Sequence, residues 1–258
     1  MLRTRIIVVA SLIVALTPGS AHAIVKGTLD GTRHPYVGMV FQQDDQATGS
    51  YGACSGTLVA PRVFITAAHC TEGLASGTQP IEVTFAPDAR DFVAQAGGVA
   101  HTYPGFCEGC GGAWGRNLGD IGVIVLDKPI SLGQYGVLPA PGALDDPGAI
   151  STVTHAGYGV ASGAAGCAFY RCLPGDFGVR MQATSQLVSA GSLSQTYVKT
   201  AKGPSGMCFG DSGSPVLAGD GPTVLAVHAY VTDWSCAGVA YATRLDRPEV
   251  LSWIRSWM

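Results

Sequence analysis

Three short strings carry residue types that could do chemistry together. "FITAAHC" places His69 at the end of an apolar run, beside Cys70. "GDIGVIVLDKP" places Asp120 just ahead of a wholly apolar run. "MCFGDSGSPV" places Ser212 in a tight turn between Gly210 and Gly213. Each alone has an ordinary reading: a strand-end histidine with a satisfied ring, a turn aspartate, a serine in a glycine turn. As a set they are far more specific. A serine hydroxyl is a poor nucleophile at neutral pH and needs a base within hydrogen-bond reach. The base in turn needs an anion to orient it. Ser212, His69 and Asp120 supply the three types. Gly210 has no side chain, so its N–H is open to a substrate oxygen and, with the N–H of Ser212, forms an oxyanion hole. One such donor is worth about 3–4 kcal/mol of transition-state stabilisation.

Strands must hold these residues in place. Apolar runs of four to eight residues recur between Gly, Pro, Asp and Ser: "YVGMVF" (36–41), "GTLVA" (56–60), "RVFITAA" (62–68), "IEVTF" (81–85) and "IGVIVL" (121–126). Later runs are "STVTHAGYG" (151–159), "RMQATSQLVS" (180–189) and "TVLAVHAYV" (223–231). Rich in β-branched and aromatic residues and too short for helices, they read as strands of an all-β protein. The Pro- and Gly-rich stretch 127–149 reads as a connector between two β halves. One helix is expected, at "DRPEVLSWIRSWM". Asp246 can cap it, Pro248 suits its first turn, and Val250, Leu251, Ile254, Trp257 and Met258 share a face.

The first 23 residues read as a secretory signal. Arg3 and Arg5 form a basic start, Ile6 to Leu16 an apolar stretch too short to span a bilayer, and Ala21 and Ala23 a small-x-small cut site. A secreted product, extracellular or periplasmic, is expected. No later run is long enough for a membrane span. Losing Arg3 and Arg5 takes the formal net charge from −3 to −5, which gives nucleic acid and anionic lipid nothing to bind. The expected partners are protein or peptide substrates, and the expected state is a monomer. All eight cysteines follow residue 23, an even count that points to disulfides in an oxidising compartment. The number of possible pairings is on the order of a hundred, and counting alone does not choose among them.

"TAAHC", "DIGVIVL" and "GDSGSP" together resemble the His, Asp and Ser boxes of the chymotrypsin-family (trypsin-like) serine proteases, in that family's order. "IVKG" (24–27) resembles its mature N-terminus, and "AGYG" (156–159) the strand that opens its second barrel. The resemblance runs from Ile24 to the C-terminal helix. It implies two antiparallel six-stranded β-barrels packed face to face, with a C-terminal α-helix. Residues 24–135 would form the barrel carrying His69 and Asp120, and 136–258 the barrel carrying Ser212. Cys54 with Cys70, and Cys208 with Cys236, match the family's paired cysteines. The resemblance also explains why a mature chain would begin with two apolar residues. In the family the freed Ile–Val end inserts into the protein, and its ammonium pairs with the aspartate before the nucleophile, here Asp211. With nothing between the signal and Ile24, signal peptidase itself is expected to release an active enzyme. An α/β-hydrolase is disfavoured, because its serine sits in G-x-S-x-G.

The resemblance places the substrate pocket around Gly206, Met207, Phe209, Tyr230, Val231 and Gly238. Gly206 and Met207 carry no charge, which argues against a basic P1 side chain, and Val231 narrows the pocket toward small aliphatic residues. His228 is read as a strand residue rather than a wall residue. Ser214 stands where relatives usually have a second Gly, and Lys26 replaces a Gly in "IVKG". "CEGC" (107–110) and "CAFYRC" (167–172) are expected to close local disulfides, Cys107 with Cys110 and Cys167 with Cys172, with cross-pairing as the alternative. No cofactor or metal is expected. Glu82, Asp88 and Asp91 hint at a calcium loop, but Glu82 falls in a strand-like run. The function implied is a secreted serine endopeptidase that works through an acyl-enzyme. The alternatives are a non-catalytic binding protein on the same fold, or an esterase.

Overall fold

The computed structural model describes residues 24–25, 27–45, 50–72, 81–110, 117–145, 150–160, 167–168, 171–172, 177–188, 196–200, 206–232, 236 and 238–258. The expected signal segment lies outside them. After a two-residue strand, β1 (Thr28–Leu29), six strands form a closed barrel. They are β2 (Val37–Asp45), β3 (Ser50–Ala60), β4 (Val63–Thr66), β5 (Ile81–Thr84), β6 (Ala96–Thr102) and β7 (Gly122–Leu126), joined in the order 2-3-4-7-6-5. All pairs are antiparallel.

β4 and β7 read as unbroken apolar runs because both their faces are covered. Phe64, Ile124 and Leu126 point into the barrel with Leu58 and Val83. The alternate residues Val63, Ile65 and Val123 join a second cluster with Val250 and Ile254 of the C-terminal helix. Side chains alternate along a strand, so a strand buried on both faces must be apolar throughout.

The C-terminal half contributes β8 (Thr152–Gly157), a small hairpin of β9 (Cys167–Ala168) and β10 (Arg171–Cys172), then β11 (Met181–Gln186) and β12 (Tyr197–Thr200). It continues with β13 (Pro215–Ala218), β14 (Val224–Val231) and β15 (Ala240–Arg244). Its main sheet runs β1-β11-β8-β13-β14-β15-β12. The sheet curls without closing fully. Among the described residues the chain just beyond β11 meets β12 through a single bridge, Leu187 to Thr200, backed by Val188 N–H to the Lys199 carbonyl at 3.1 Å. The expected pair of six-stranded barrels is thus realised as one closed barrel and one half-barrel. β1 lies at the start of the chain but pairs with β11 in the second half.

The helix, α1 (Pro248–Arg255), buries Val250, Leu251 and Ile254 and starts with Pro in its first turn, as expected. Its cap differs: Arg247 is the N-cap and makes no side-chain capping bond, its guanidinium reaching Asp145 at 3.1 Å instead. Asp246 instead is fully buried, accepting from Leu144 N–H at 2.8 Å and from Arg244 at 2.8 and 2.7 Å. A buried guanidinium is a stronger claim on that carboxylate than a helix terminus. Among the described residues no helix is long and apolar enough to cross a membrane.

Arg180, fully buried, ties the halves together. Its Nε donates to Asp30 Oδ2 at 2.8 Å, and its two Nη atoms reach the carbonyls of Val37, Phe85 and Gly31 and the hydroxyl of Tyr158. Asp30 also bonds the ring of His34. Burial works against the charge on Asp30, but His34 and Arg180 outweigh it and hold its carboxyl below the usual range. Each of the three guanidinium nitrogens has a partner, which is what makes so buried a charge tolerable.

Candidate active site

His69 sits in a single turn of 3₁₀ helix, Ala68–Cys70, that ends β4. The Cys54–Cys70 disulfide anchors that turn to β3. Asp120 lies two residues before β7, the strand that pairs with β4. The ladder therefore delivers both residues to the same rim. Asp120 is buried, and its two oxygens accept from His69 twice: Oδ1 from the backbone N–H at 3.0 Å, and Oδ2 from Nδ1–H at 2.8 Å. The Nδ1–H bond to the carboxylate fixes the tautomer, leaving Nε2 as the unprotonated, basic nitrogen. The ring is 30% exposed, so Nε2 is accessible. Burial disfavours the charged ring. The hydrogen bond and charge of Asp120, with Glu108 and Glu72 further off, outweigh it and raise the imidazole's pKa above its ordinary value.

Ser212 stands on the turn that leads into β13. Four carbonyls of that turn are tied. Phe209 accepts from Val160 N–H at 2.8 Å, Gly210 from Ser55 Oγ at 2.9 Å, Asp211 from Ser214 N–H at 2.9 Å, and Ser212 from Ser55 N–H at 2.8 Å. In a trans peptide the N–H points opposite the carbonyl. Anchoring the Phe209 carbonyl to Val160 therefore turns the Gly210 N–H the other way. The turn is pressed hard against the first barrel. A Cβ on Gly213 would lie 2.2 Å from both the Ser55 carbonyl and Thr66 Oγ1, and its φ is +83°. Only glycine fits there. The same contact brings Gly213, the residue after Ser212, beside Ala67, two residues before His69. No hydrogen bond joins Ser212 Oγ to His69 Nε2 among the described residues. Such a bond is commonly long in a free enzyme and tightens on substrate binding.

Asp211 is buried behind the turn. Its carboxylate accepts from Gly159 N–H at 2.8 Å and Cys208 N–H at 3.0 Å. Burial nevertheless pushes its pKa up to about 7. The glycines of "AGYG" make its room: a Cβ on Gly157 would meet Asp211 Oδ1 at 2.3 Å, and one on Gly159 its Cγ at 2.5 Å. Ile24 is fully buried against Met181, Met207 and Ala240, and Val25 packs on Val160, Cys208 and Cys236. Val25 also exchanges two backbone bonds with Gly206, at 3.0 and 3.1 Å.

A cavity of about 320 Å³ opens beside Ser212, lined by Met207, Phe209, Tyr230 and Val231 of the expected set, together with Asp211, His228 and Ala229. Gly206 and Gly238 do not line it: Gly206 lies behind, its backbone committed to Val25. His228, read from sequence as a strand residue, is a wall residue as well. It is buried, and its Nε2 is 2.8 Å from His155 Nδ1, whose own Nε2 is 2.6 Å from Ser185 Oγ. Burial pushes His155 down to about 4, and burial with the His155 charge pushes His228 well down. Both rings are therefore neutral at ordinary pH. Nothing in the strand pattern distinguishes this pair from packed apolar residues, since its partners come from β8 and β11.

Cys107–Cys110 and Cys208–Cys236 are bonded, so cross-pairing of "CEGC" with the second small loop does not occur. Cys167 and Cys172 face each other across the β9–β10 hairpin, but their side chains lie outside the description. Cys54, His69 and Cys70 cluster at metal-binding distances, yet both sulfurs are spent in the disulfide. Asp88 of the suggested calcium loop is engaged by Arg90 at 2.9 and 2.5 Å.

A family model described as Trypsin matches residues 29–254. No curated protein matches the chain in sequence. Among solved structures, HL collagenase aligns with a TM-score of 0.70 at 17% identity, over 90% of this chain and 97% of that one. A scabies mite inactivated protease paralogue aligns at 0.67 and 19%, over 89% and 97%. Human heparin binding protein aligns at 0.64 and 20%, over 90% and 96%. At such identities the likeness is one of fold.

Proposed function

The chain belongs to the trypsin family, and from that premise we propose that it is a secreted serine endopeptidase. Residues 1–23 are its signal, and two β units, 24–135 and 136–258, flank the cleft. The observation that carries the reading is the doubly bonded His69–Asp120 pair on the rim against which the Ser212 turn is pressed. His69 Nε2 takes the Ser212 proton as Oγ attacks the scissile carbonyl. The N–H groups of Gly210 and Ser212 receive the oxyanion, and His69 returns the proton to the leaving amine. Water then repeats the cycle on the acyl-enzyme. A serine-directed phosphonate tests this. Labelling at Ser212 with turnover of casein supports it, and no labelling favours the non-catalytic alternative. That alternative stays in play because an inactivated paralogue and a heparin binding protein are among the structural neighbours. A protein that turns over simple esters but not casein is instead an esterase.

Release after Ala23 would free the Ile24 ammonium to pair with Asp211. Two features support this. Ile24 is already buried against Met207, next to the Cys208 that bonds Asp211, and its φ of +55° is strained for a β-branched residue while its nitrogen is still in a peptide bond. N-terminal sequencing of the secreted protein should read Ile-Val-Lys-Gly, and a start at Gly27 or later rules the idea out. Apart from Asp211, which the freed amine would pair, the cavity lining is uncharged, which supports apolar P1 residues. Peptides with Ala, Val, Leu, Phe, Glu or Arg before the cut measure this, and fastest cleavage after Arg would refute it.

A further inference from the structure

We infer that Ser55 is a positioning residue that sets the shape of the oxyanion-binding turn from the opposite barrel. The inference rests on the reading of Ser212 as a nucleophile. Ser55 lies within β3, fully buried, next to the half-cystine Cys54 that anchors the His69 turn. All of its polar groups are in use. Its N–H donates to the Ser212 carbonyl at 2.8 Å, and its carbonyl accepts from Thr66 Oγ1 at 2.8 Å. Its Oγ accepts from Tyr158 N–H at 3.0 Å and donates to the Gly210 carbonyl at 2.9 Å.

That last pair fixes a direction. A serine hydroxyl has one proton to give. The Tyr158 N–H has none to receive, so the proton must go to Gly210. The Gly210–Asp211 peptide is then gripped on both sides, its carbonyl by Ser55 and its N–H by the Cys208 carbonyl at 3.1 Å. The Ser212 carbonyl is held by the same residue, so Ser55 clamps the turn on either side of Asp211. Tyr158 itself sits between the two glycines that accommodate the Asp211 carboxyl. One hydroxyl thus links the strand behind Asp211 to the peptide in front of it.

Removing the hydroxyl leaves a buried N–H and a half-buried carbonyl unpaired. Gly210, at φ +89°, has cheap alternative conformations, so its peptide plane would turn to recover a partner. The oxyanion donors would lose alignment, and that loss is felt in the transition state more than in the bound substrate.

The test compares Ser55→Ala and Ser55→Thr with the wild-type enzyme, rates being normalised to sites titrated with a serine-directed inhibitor. Ser55→Ala should lower kcat about ten- to a hundred-fold with KM within about two-fold. A peptide aldehyde adds Ser212 Oγ to its carbonyl carbon, passes the hydroxyl proton to His69 and leaves its oxygen in the hole. It should lose affinity by the same factor, while the matching peptide alcohol binds as before. Ser55→Thr keeps the hydroxyl and should recover most of the loss. Amide exchange across residues 207–213 should quicken in the alanine variant and not in the threonine variant. Unchanged kcat, or equal losses for aldehyde and alcohol, would overturn the inference. Should the wild-type protein neither label nor turn over, the hydrolase reading fails and exchange alone decides this one. Unaltered exchange in Ser55→Ala would then sink it.

Discussion

His69 and Asp120 meet inside one closed barrel, through two direct bonds and with a disulfide beside them. Ser212 stands on a turn whose shape is borrowed: Val160, Ser55, Gly157 and Gly159 all constrain it from outside. Among the described residues the Asp211 carboxylate behind that turn has backbone donors but no cation. The base half of the site assembles from its own ladder. The Ser212 half depends on how the rest of the chain is arranged, which makes it the half that the proposed cut at the N-terminus would control.

The two halves should therefore fail differently. Ser212→Ala should abolish turnover, by about a million-fold, while the His69–Asp120 bond persists as a low-field proton signal. Asp120→Asn should cost about ten-thousand-fold in kcat and leave the Ser212 turn's exchange protection intact. Loss of that protection would mean the halves are coupled more tightly than the bonding suggests. Gly159→Ala forces a Cβ to within 2.5 Å of Asp211 Cγ. It should destabilise the protein by about 1–3 kcal/mol, read as a shifted urea midpoint, with the His69 titration unmoved.

Smaller effects come with pH. In the uncut chain Asp211 titrates near 7, against an ordinary value of 3.8. Between those values the folded state holds more protons than the unfolded one, so stability should fall as pH rises through that window. In the cut chain the ammonium should remove this slope, and identical slopes in both forms would count against the pair. The smallest effect belongs to His155, whose folded pKa is near 4 against 6.5. Here the unfolded state binds more protons, so stability should drop as pH falls from 6.5 toward 4. His155→Leu should flatten that limb in urea titrations.

The strands around His69 and Asp120 were legible because burial on both faces writes itself as unbroken apolar runs. β6, with Gly97 and Gly98 near its start, and β13, which opens on Pro215, lack that signature and are recovered only through their partners. The three chemistry-bearing strings were legible because few other uses explain them jointly. Ser55 was not, since a serine in a strand is unremarkable until its partners, 103 and 155 positions away, are in view. His228 was missed as a wall residue for the same reason. Asp246 read as a cap because sequence shows its neighbour Pro248 and hides Leu144.

The placement of β1 has a consequence for biosynthesis. Leu29 pairs with Met181, and Asp30 is bonded to Arg180, a residue 150 positions later. A ribosome delivers the leading strand long before the sheet that will accept it. For most of translation that end has nowhere to dock. On the proposed secretory route, that order would leave the cut after Ala23 open to a peptidase before folding buries Ile24.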